Sequence, residues 1–371
     1  MPWKFHKRGA KFEPSRKGGK VIDRVYIVQT AADPPSPIKY EDGLREGYNL
    51  TIGADCKAVY ITAASSIGVL HALTTLGQLF YKPAAGTGAW GKGPVHILDE
   101  PKFVHRGLNL DVARQWYPVK DILRTIDALS WNKMNRLHLH VTDSQSWPLE
   151  IPSMPGLAAN GAYAAGLTYS PADVQGILAH AEARGVQVYV EIDMPGHTTS
   201  IANTYPELIA GVNEQPWERW AAQPPSGSLK LNDARVDRFV TDLFRDLLPR
   251  LNKHSHYYHT GGDEVNRQIY LNDEGVKSNK TDVIRPHLAR FFDHVQRQVA
   301  NHSMSPFVWQ EMLLDWHLKL PPKTVVQTWI SDEAAANATR AGFRVVAGNF
   351  NFWYLDCGHG TRPAPTGPLP D

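Results

Sequence analysis

The feature that most constrains the fold is a regular alternation of short apolar strands and amphipathic helices from residue 105 onward. The sequence predicts seven strands, at 105–112, 136–142, 186–192, 256–261, 306–311, 324–330 and 344–349. Helical patterns lie between them, at 119–131, 171–184, 236–251, 283–302 and 332–341. Alternation of this kind is typical of a parallel sheet covered by helices. We therefore predict an α/β fold, a (β/α)8 TIM barrel that lacks its eighth strand and helix.

The region before the barrel has the pattern of a small α+β domain. Strands are predicted at 21–28 and 58–62, and a helix at 65–80 begins with Ser65, a residue type that favours the N-cap. A Pro/Gly-rich stretch and then Asp99-Glu100-Pro101 mark its end. We predict three parts: the small domain over 1–98, the barrel over 99–360, and a Pro-rich disordered tail over 361–371.

Composition narrows the classes of function. The 371 residues include 39 Lys and Arg and 37 Asp and Glu, a net charge of +2 that offers no electrostatic case for binding nucleic acid. No apolar run has the length of a membrane span, and the first residues do not form a secretory signal peptide. Four Asn-X-Ser/Thr sequons give weak support for a secretory route. The two cysteines, Cys56 and Cys357, lie far apart and are predicted to be unpaired.

Polar and aromatic side chains gather where the predicted strands end. The strongest case is the run from His259 to Val265, in which two glycines and then Asp263 and Glu264 follow an aromatic strand. Two acids are costly to bury without a task, and the carboxyl ends of barrel strands carry catalytic residues. A solvated loop is the alternative. Comparable clusters follow five other strands, so we predict a pocket at one face of the barrel.

The run His138-Leu139-His140 supports a rival hypothesis. Alternate residues of a strand point the same way, so both histidines could share a metal with Asp263 or His259, as in a metal-dependent hydrolase. The same run also fits a structural strand. We predict no metal and no cofactor.

Six motifs in order make the chain resemble the family 20 glycoside hydrolases, the β-N-acetylhexosaminidases, in particular the secreted fungal type. The motifs are HRGLNLD, LHLHVTDSQSWPLE, EIDMPGH, HTGGDEVN, WQEMLLDW and NFWYLDCGHG, and the resemblance covers nearly all of residues 1–360. It implies a small α+β domain before a TIM barrel. It also implies removal of terminal β-linked N-acetylglucosamine or N-acetylgalactosamine from chitin oligomers and glycans, and an extracellular or secretory-pathway location. A homodimer is compatible with the resemblance, whereas a nucleic-acid or membrane partner is not expected.

The resemblance also implies a retaining mechanism in which the 2-acetamido oxygen of the substrate attacks the anomeric carbon and forms an oxazolinium ion. In that mechanism Glu264 would be the general acid and base. Asp263 would bind the acetamide N–H and stabilise the positive intermediate. Tyr354 would hydrogen-bond the acetamide carbonyl oxygen.

Further substrate contacts follow from the resemblance. Arg106 would bind the C3 and C4 hydroxyls, Asp356 the C4 and C6 side, and Trp309 and Trp329 would wall the acetamide pocket. The alternative for Arg106 is an ion pair that closes the bottom of the barrel. The alternative for the two tryptophans is an ordinary position in the core.

Two residues would act through Glu264. Asp143 and His197 are expected to orient it and to tune its proton affinity. The alternative for His197 is a loop histidine after Pro-Gly, and Glu311 is expected to be a structural acid.

The chain departs from the family pattern at both ends. The pattern should continue beyond Gly360 into an eighth strand, with a tryptophan that stacks under the sugar and a nearby glutamate, and neither follows Thr361. The resemblance therefore implies truncation at both ends. It leaves open an inactive or sugar-binding relative that lacks the strand-eight part of the pocket. Open strand edges and exposed apolar surface predict a poorly soluble, weakly active chain.

Overall fold

The structure, a computed structural model, describes residues 20–33, 44–81, 90–91 and 93–355. Asp356, Cys357 and the predicted tail over 361–371 lie outside the described residues. The chain divides into two compact units. The first runs to Arg106 and includes 127–135 and 182–186, and the second comprises the other residues. Within the described part of the chain, no helix combines the length and the apolar character needed to cross a membrane.

The described part of the first unit is built on a four-stranded sheet with one helix. Strand β3 is parallel to β1 and antiparallel to β2, and β2 is antiparallel to β6. Helix α1 begins after Ser65, whose hydroxyl accepts a hydrogen bond from Gly68 N at 3.1 Å, as an N-cap does. The elements are β1 (Arg24–Gln29), β2 (Tyr48–Ile52), β3 (Ala58–Ala63), α1 (Ser66–Gln78), the short pair β4 (Phe80–Tyr81) and β5 (Trp90–Gly91), and β6 (Val95–Asp99).

Over its described residues, the second unit contains a parallel sheet of seven strands. Its strands are neighbours in the order in which they occur along the chain, and every pair is parallel. This topology confirms the predicted partial TIM barrel. The strands are β7 (Gly107–Asp111), β8 (Arg136–Thr142), β9 (Gln187–Ile192), β12 (Tyr257–His259), β13 (Ser305–Trp309), β14 (Val325–Thr328) and β15 (Arg344–Ala347).

Helices connect these strands, close to where the sequence predicts them. In α5, buried residues recur at helical spacing, such as Val236, Leu243 and Leu247, so one face packs inward. Asp233 caps this helix by accepting a hydrogen bond from Arg235 N at 2.8 Å. The helices and the remaining short strands are α2 (Val119–Trp131), α3 (Gly156–Gly161), α4 (Pro171–Glu182), β10 (Ile209–Ala210), β11 (Ser228–Leu229), α5 (Ala234–Leu251), α6 (Thr281–Asn301), α7 (Glu311–Leu314), α8 (Asp332–Arg340) and α9 (Phe350–Trp353).

The central strands of the seven-stranded sheet are buried on both faces. Every residue of β8, β9 and β12 is buried. Strands covered on both sides are usually continuous apolar runs. Here, however, four buried polar residues interrupt that pattern: His138, His140, Glu191 and His259. Each of them needs a hydrogen-bonding or charged partner.

Candidate active site

The acid pair stands on a turn that requires glycine. Strand β12 ends at His259, and Gly261 and Gly262 follow with φ values of +71° and +108°. A Cβ at Gly261 would collide with the side chain of Asp193, and Gly262 N donates a hydrogen bond to Asp193 Oδ1 at 2.8 Å. The turn thus delivers the next two residues, Asp263 and Glu264, to the carboxyl end of the sheet.

Gly261→Ala is expected to lower the free energy of unfolding by more than the left-handed conformation alone would. A non-glycine residue at positive φ costs about 1–2 kcal/mol, and here the new methyl group would also meet Asp193. Gly166→Ala is the matched control, since Gly166 has φ +83° with nothing within 4 Å of the added Cβ. Urea unfolding of both variants measures the difference. Equal losses would show that the contact with Asp193 does not constrain the turn.

His197 brings the predicted acids together. It follows β9, and its Nε2 lies 3.3 Å from Glu264 Oε2 and 3.8 Å from Asp263 Oδ2. On the other side of the ring, Nδ1 lies 3.2 Å from Asp143 Oδ1. Burial alone would lower the pKa of His197, but the charges of Asp143 and then Asp263 raise it well above its usual value. These carboxylates favour the imidazolium form of His197, and its contacts place it in the acid cluster.

Asp143 is the buried anion of this cluster. It follows β8, has no exposed surface, and accepts a hydrogen bond from His140 Nε2 at 2.8 Å. Arg114 Nη2 lies 2.9 Å from its Oδ2. Burial would raise the pKa of Asp143, but His197 and His140 lower it far below the usual range. The structure thus joins four predicted residues: Asp143, His197, Asp263 and Glu264.

Asp193 is a member of the site that the sequence reasoning missed. Burial, and then the charge of Asp263, raise the pKa of Asp193 well above its usual value. Burial first, and also the charge of Glu264, raise the pKa of Asp263. Because two neighbouring carboxylates rarely ionise together, we assign the proton to Asp193 and the charge to Asp263. The position of Asp193 directly after β9, in EIDMPGH, was the available signal.

The structure assigns different places to two arginines. Arg106, which the sequence analysis predicted, does not lie among the acids, whereas Arg114, which it missed, does. Arg106 precedes β7, where its guanidinium pairs with Glu46 and donates to the carbonyl oxygens of Phe103 at 2.7 Å and Lys133 at 2.9 Å. These contacts match the ion-pair alternative and contradict a contact between Arg106 and the sugar hydroxyls. Arg114 follows β7 and therefore lies at the carboxyl end of the parallel sheet. Its Nε is buried and has no hydrogen-bond partner among the described residues.

The predicted aromatic residues of the acetamide pocket lie in two different places. The Trp329 ring stacks on Tyr354, with centroids 6.4 Å apart, and its Nε1 donates to Glu311 Oε1 at 2.8 Å. Burial, and then the charge of Asp263, raise the pKa of Glu311 well above its usual value. Trp309 is only 5% exposed, and its Nε1 donates to Glu191 Oε1 at 2.8 Å. Trp329 and Tyr354 thus form an aromatic pair near the acids, whereas Trp309 faces the barrel interior.

The rival metal hypothesis concerns His138 and His140, and the structure shows what they share. His138 Nε2 and His140 Nδ1 lie 2.8 Å and 2.7 Å from the same oxygen, Glu191 Oε2. The second nitrogen of His140 binds Asp143. Among the described residues, two groups have ligand atoms close enough for a metal: His138 with Glu191 and His259, and Asp193 with His197 and Asp263. Neither group contains both histidines of the HxH run, so the structure does not bring together the ligand pair of the rival hypothesis.

The fold and the site define a class of protein, the parallel α/β barrels that carry paired acids at the carboxyl ends of their strands. Within this class, the chain belongs to glycosyl hydrolase family 20. The model of the family's catalytic domain matches residues 103–368, and a model described as beta-acetyl hexosaminidase like matches residues 1–79. The resemblance inferred from the motifs is confirmed.

Individual relatives agree with this assignment. A beta-hexosaminidase of Arthroderma benhamiae is 40% identical over 378 residues, which cover 98% of this chain and 62% of the relative. The X-ray structure of Flavobacterium johnsoniae chitobiase has a TM-score of 0.72 at 28% identity, covering 82% of this chain and 46% of that one. The Streptomyces plicatus N-acetyl-beta-hexosaminidase in complex with Thio-NAglucal has a TM-score of 0.69 at 26% identity, covering 90% and 63%. The chain therefore spans less than two thirds of the length of these relatives.

Proposed function

We propose that the protein hydrolyses terminal, non-reducing β-linked N-acetyl-D-hexosamine residues of chitooligosaccharides and glycans, with retention of configuration. The observation that carries the proposal is the pair Asp263 and Glu264 at the end of β12, with His197 in contact with both acids. Membership of family 20, with relatives named beta-hexosaminidase, supports it.

In the first step, the protonated Glu264 gives its proton to the leaving oxygen as the bond from that oxygen to the anomeric carbon breaks. The acetamido oxygen of the substrate attacks the anomeric carbon and closes an oxazolinium ring. Asp263 accepts a hydrogen bond from the acetamide N–H, and its negative charge stabilises the positive ring. The hydroxyl of Tyr354 donates to the acetamide oxygen and orients it for attack.

In the second step, the Glu264 carboxylate removes a proton from water, and that water attacks the anomeric carbon as the oxazolinium ring opens. Each step inverts the anomeric carbon, so the product retains the β configuration. The His197 imidazolium holds the Glu264 carboxylate between the two steps, and Asp143 balances its charge.

The sugar itself is proposed to meet residues at the rim of the site. Arg114, rather than Arg106, supplies a charged donor for the ring hydroxyls, because its guanidinium is at the carboxyl end and its Nε is unpartnered in the described structure. Trp329 with Tyr354 walls the acetamide, and Trp309 supports this wall from the interior. The contact of Asp356 with the C4 and C6 side stays a prediction. The secretory location, supported by the sequons, and a homodimer are further predictions.

The proposal is tested with two chromogenic substrates that differ only at C2. Hydrolysis of p-nitrophenyl N-acetyl-β-D-glucosaminide is expected, whereas p-nitrophenyl β-D-glucoside should react at least about 10²-fold more slowly because it lacks the internal nucleophile. Addition of EDTA should change neither rate. Equal rates on both substrates would contradict substrate assistance, and loss of activity with EDTA would favour the metal hypothesis. Binding of N-acetylglucosamine without turnover would favour the sugar-binding alternative.

A further inference from the structure

The proposed mechanism uses Asp143 and His197 but leaves a second buried acid and histidine unexplained. Glu191 has no exposed surface and His140 is 6% exposed. They lie on β9 and β8, next to the strand ends that carry the site. An unpaired charge is costly at such burial, so their contacts determine which charges they can hold.

Both ring nitrogens of His140 face carboxylate oxygens. Nδ1 lies 2.7 Å from Glu191 Oε2, and Nε2 lies 2.8 Å from Asp143 Oδ2. An ionised carboxylate only accepts hydrogen bonds, so both nitrogens must carry protons and the ring must be an imidazolium. The charges of Glu191 and Asp143 outweigh burial and raise the pKa of His140 well above its usual value, in agreement with the geometry.

Glu191 is held as an anion by hydrogen bonds from Trp309 and His140, and two further histidines lie close to it. Trp309 Nε1 donates to its Oε1 at 2.8 Å, and His138 Nε2 lies 2.8 Å from its Oε2. His259 Nδ1 lies 3.1 Å from Oε1. Burial would raise the pKa of Glu191, but His259, His140 and His138 lower it well below its usual value.

These contacts continue to the proposed general acid as one alternating row of carboxylates and imidazoles. The order is Glu191, His140, Asp143, His197 and Glu264, and every neighbouring pair lies between 2.7 Å and 3.3 Å apart. Among the described residues, the other charged or titratable groups that face this row are Arg114, Asp193, Asp263, His138, His259, Tyr189 and Tyr258.

We propose that Glu191 and His140 are positioning residues that extend the Asp143–His197 pair into the barrel interior and fix its charge. This inference rests on the proposed function. His140 holds Asp143 ionised and aimed at His197, and Glu191 holds His140 charged and in place. The charge of the Asp143–His197 pair thus depends on two residues that touch neither substrate nor Glu264.

The two residues carry opposite charges, so their neutral replacements should have opposite effects. His140→Gln removes a positive charge, which makes the site more negative and retains the proton of the general acid to higher pH. Glu191→Gln removes a negative charge and does the reverse. From the size of Coulomb effects across a partly buried site, we expect the alkaline limb of kcat/KM to move by roughly 0.5–1 pH unit, upward for His140→Gln and downward for Glu191→Gln.

His138→Gln is the matched control. His138 lies on the same strand, is also buried, and has its Nε2 2.8 Å from the same oxygen of Glu191, whereas its neighbour His140 is the residue that contacts Asp143. Burial lowers the pKa of His138 to about 4, so the ring is neutral at working pH and its replacement removes no charge. His138→Gln should lower the stability of the protein as His140→Gln does, but it should leave the alkaline limb of kcat/KM unchanged. If His140→Gln also leaves the limb in place, or if both histidine variants move it equally, the proposal is wrong.

A measurement on the unmodified chain tests the charge of His140 and His197 even if the variants do not fold. In ¹⁵N-histidine NMR spectra at pH 8, an ordinary histidine is neutral. Two buried imidazolium rings with both nitrogens protonated are expected, for His140 and His197. Fewer than two such rings would overturn the inference. If the chain shows no hydrolysis, the proposed function fails, while these spectra still test the charge of His140.

Discussion

Glu264→Gln is expected to lower kcat/KM for p-nitrophenyl N-acetyl-β-D-glucosaminide by about 10²–10⁴-fold. Glutamine has the size of glutamate but no acidic proton, so the turn and the contact with His197 persist while proton transfer stops. The loss should be smaller for a substrate with a more acidic leaving group, such as the 2,4-dinitrophenyl glycoside, because such a group departs without protonation.

The control for this variant is Glu333→Gln, an exposed acid in the first turn of α8. It should keep the rate of the unmodified chain. Similar rates for Glu264→Gln and the unmodified chain, on both leaving groups, would remove Glu264 from the mechanism.

Asp263→Asn is expected to lower kcat by about 10²–10³-fold, because the oxazolinium loses the negative charge that stabilises it. Unlike the loss at Glu264, this one should persist with the more acidic leaving group, since the acetamide still has to attack. Asp242→Asn, at an exposed position of α5, is the control. Recovery of Asp263→Asn on the dinitrophenyl substrate would mean that Asp263 assists departure of the leaving group instead.

The pH profile gives a second measurement of Asp263. Burial, and then the charge of Glu264, raise the pKa of Asp263, so its useful anion is present above that raised pKa and is lost as the pH falls through it. The acidic limb of kcat/KM should therefore lie above the usual aspartate range near 4. This limb should disappear in Asp263→Asn. An acidic limb that is identical in the variant and the unmodified chain would belong to another group.

The order of strands and helices in the barrel was predictable because each strand or helix has its own hydrophobic periodicity and because helices begin at recognisable N-cap residues. Strands β2 and β6 were not predicted. Each is only five residues long, so the alternation of buried and partly buried residues in β2 spans too few positions to stand out from the sequence. Local periodicity therefore found the strands and helices of the barrel, and it missed these two short strands, which pair with each other.

The acids of the site were predictable from the glycine turn, but the arginine was not placed correctly. Arg106 and Arg114 flank the same strand, and only the direction of the parallel sheet decides which end carries the site. Trp309 shows a similar limit. It is the last residue of β13, and the sequence does not reveal that its indole turns inward to bind Glu191. Charge states such as those of Asp193 and His140 depend on several strands at once.

The order of the seven parallel strands has a consequence for biosynthesis. Because neighbours in the sheet are also neighbours along the chain, the residues of the pocket leave the ribosome in the order of the strands that carry them, from the amino-terminal side onward. Arg114 emerges first, then Asp143 and His197, then the acid pair, and finally Trp329 and Tyr354. A nascent chain released before β14 would hold the proton donor without the aromatic pair proposed to wall the acetamide.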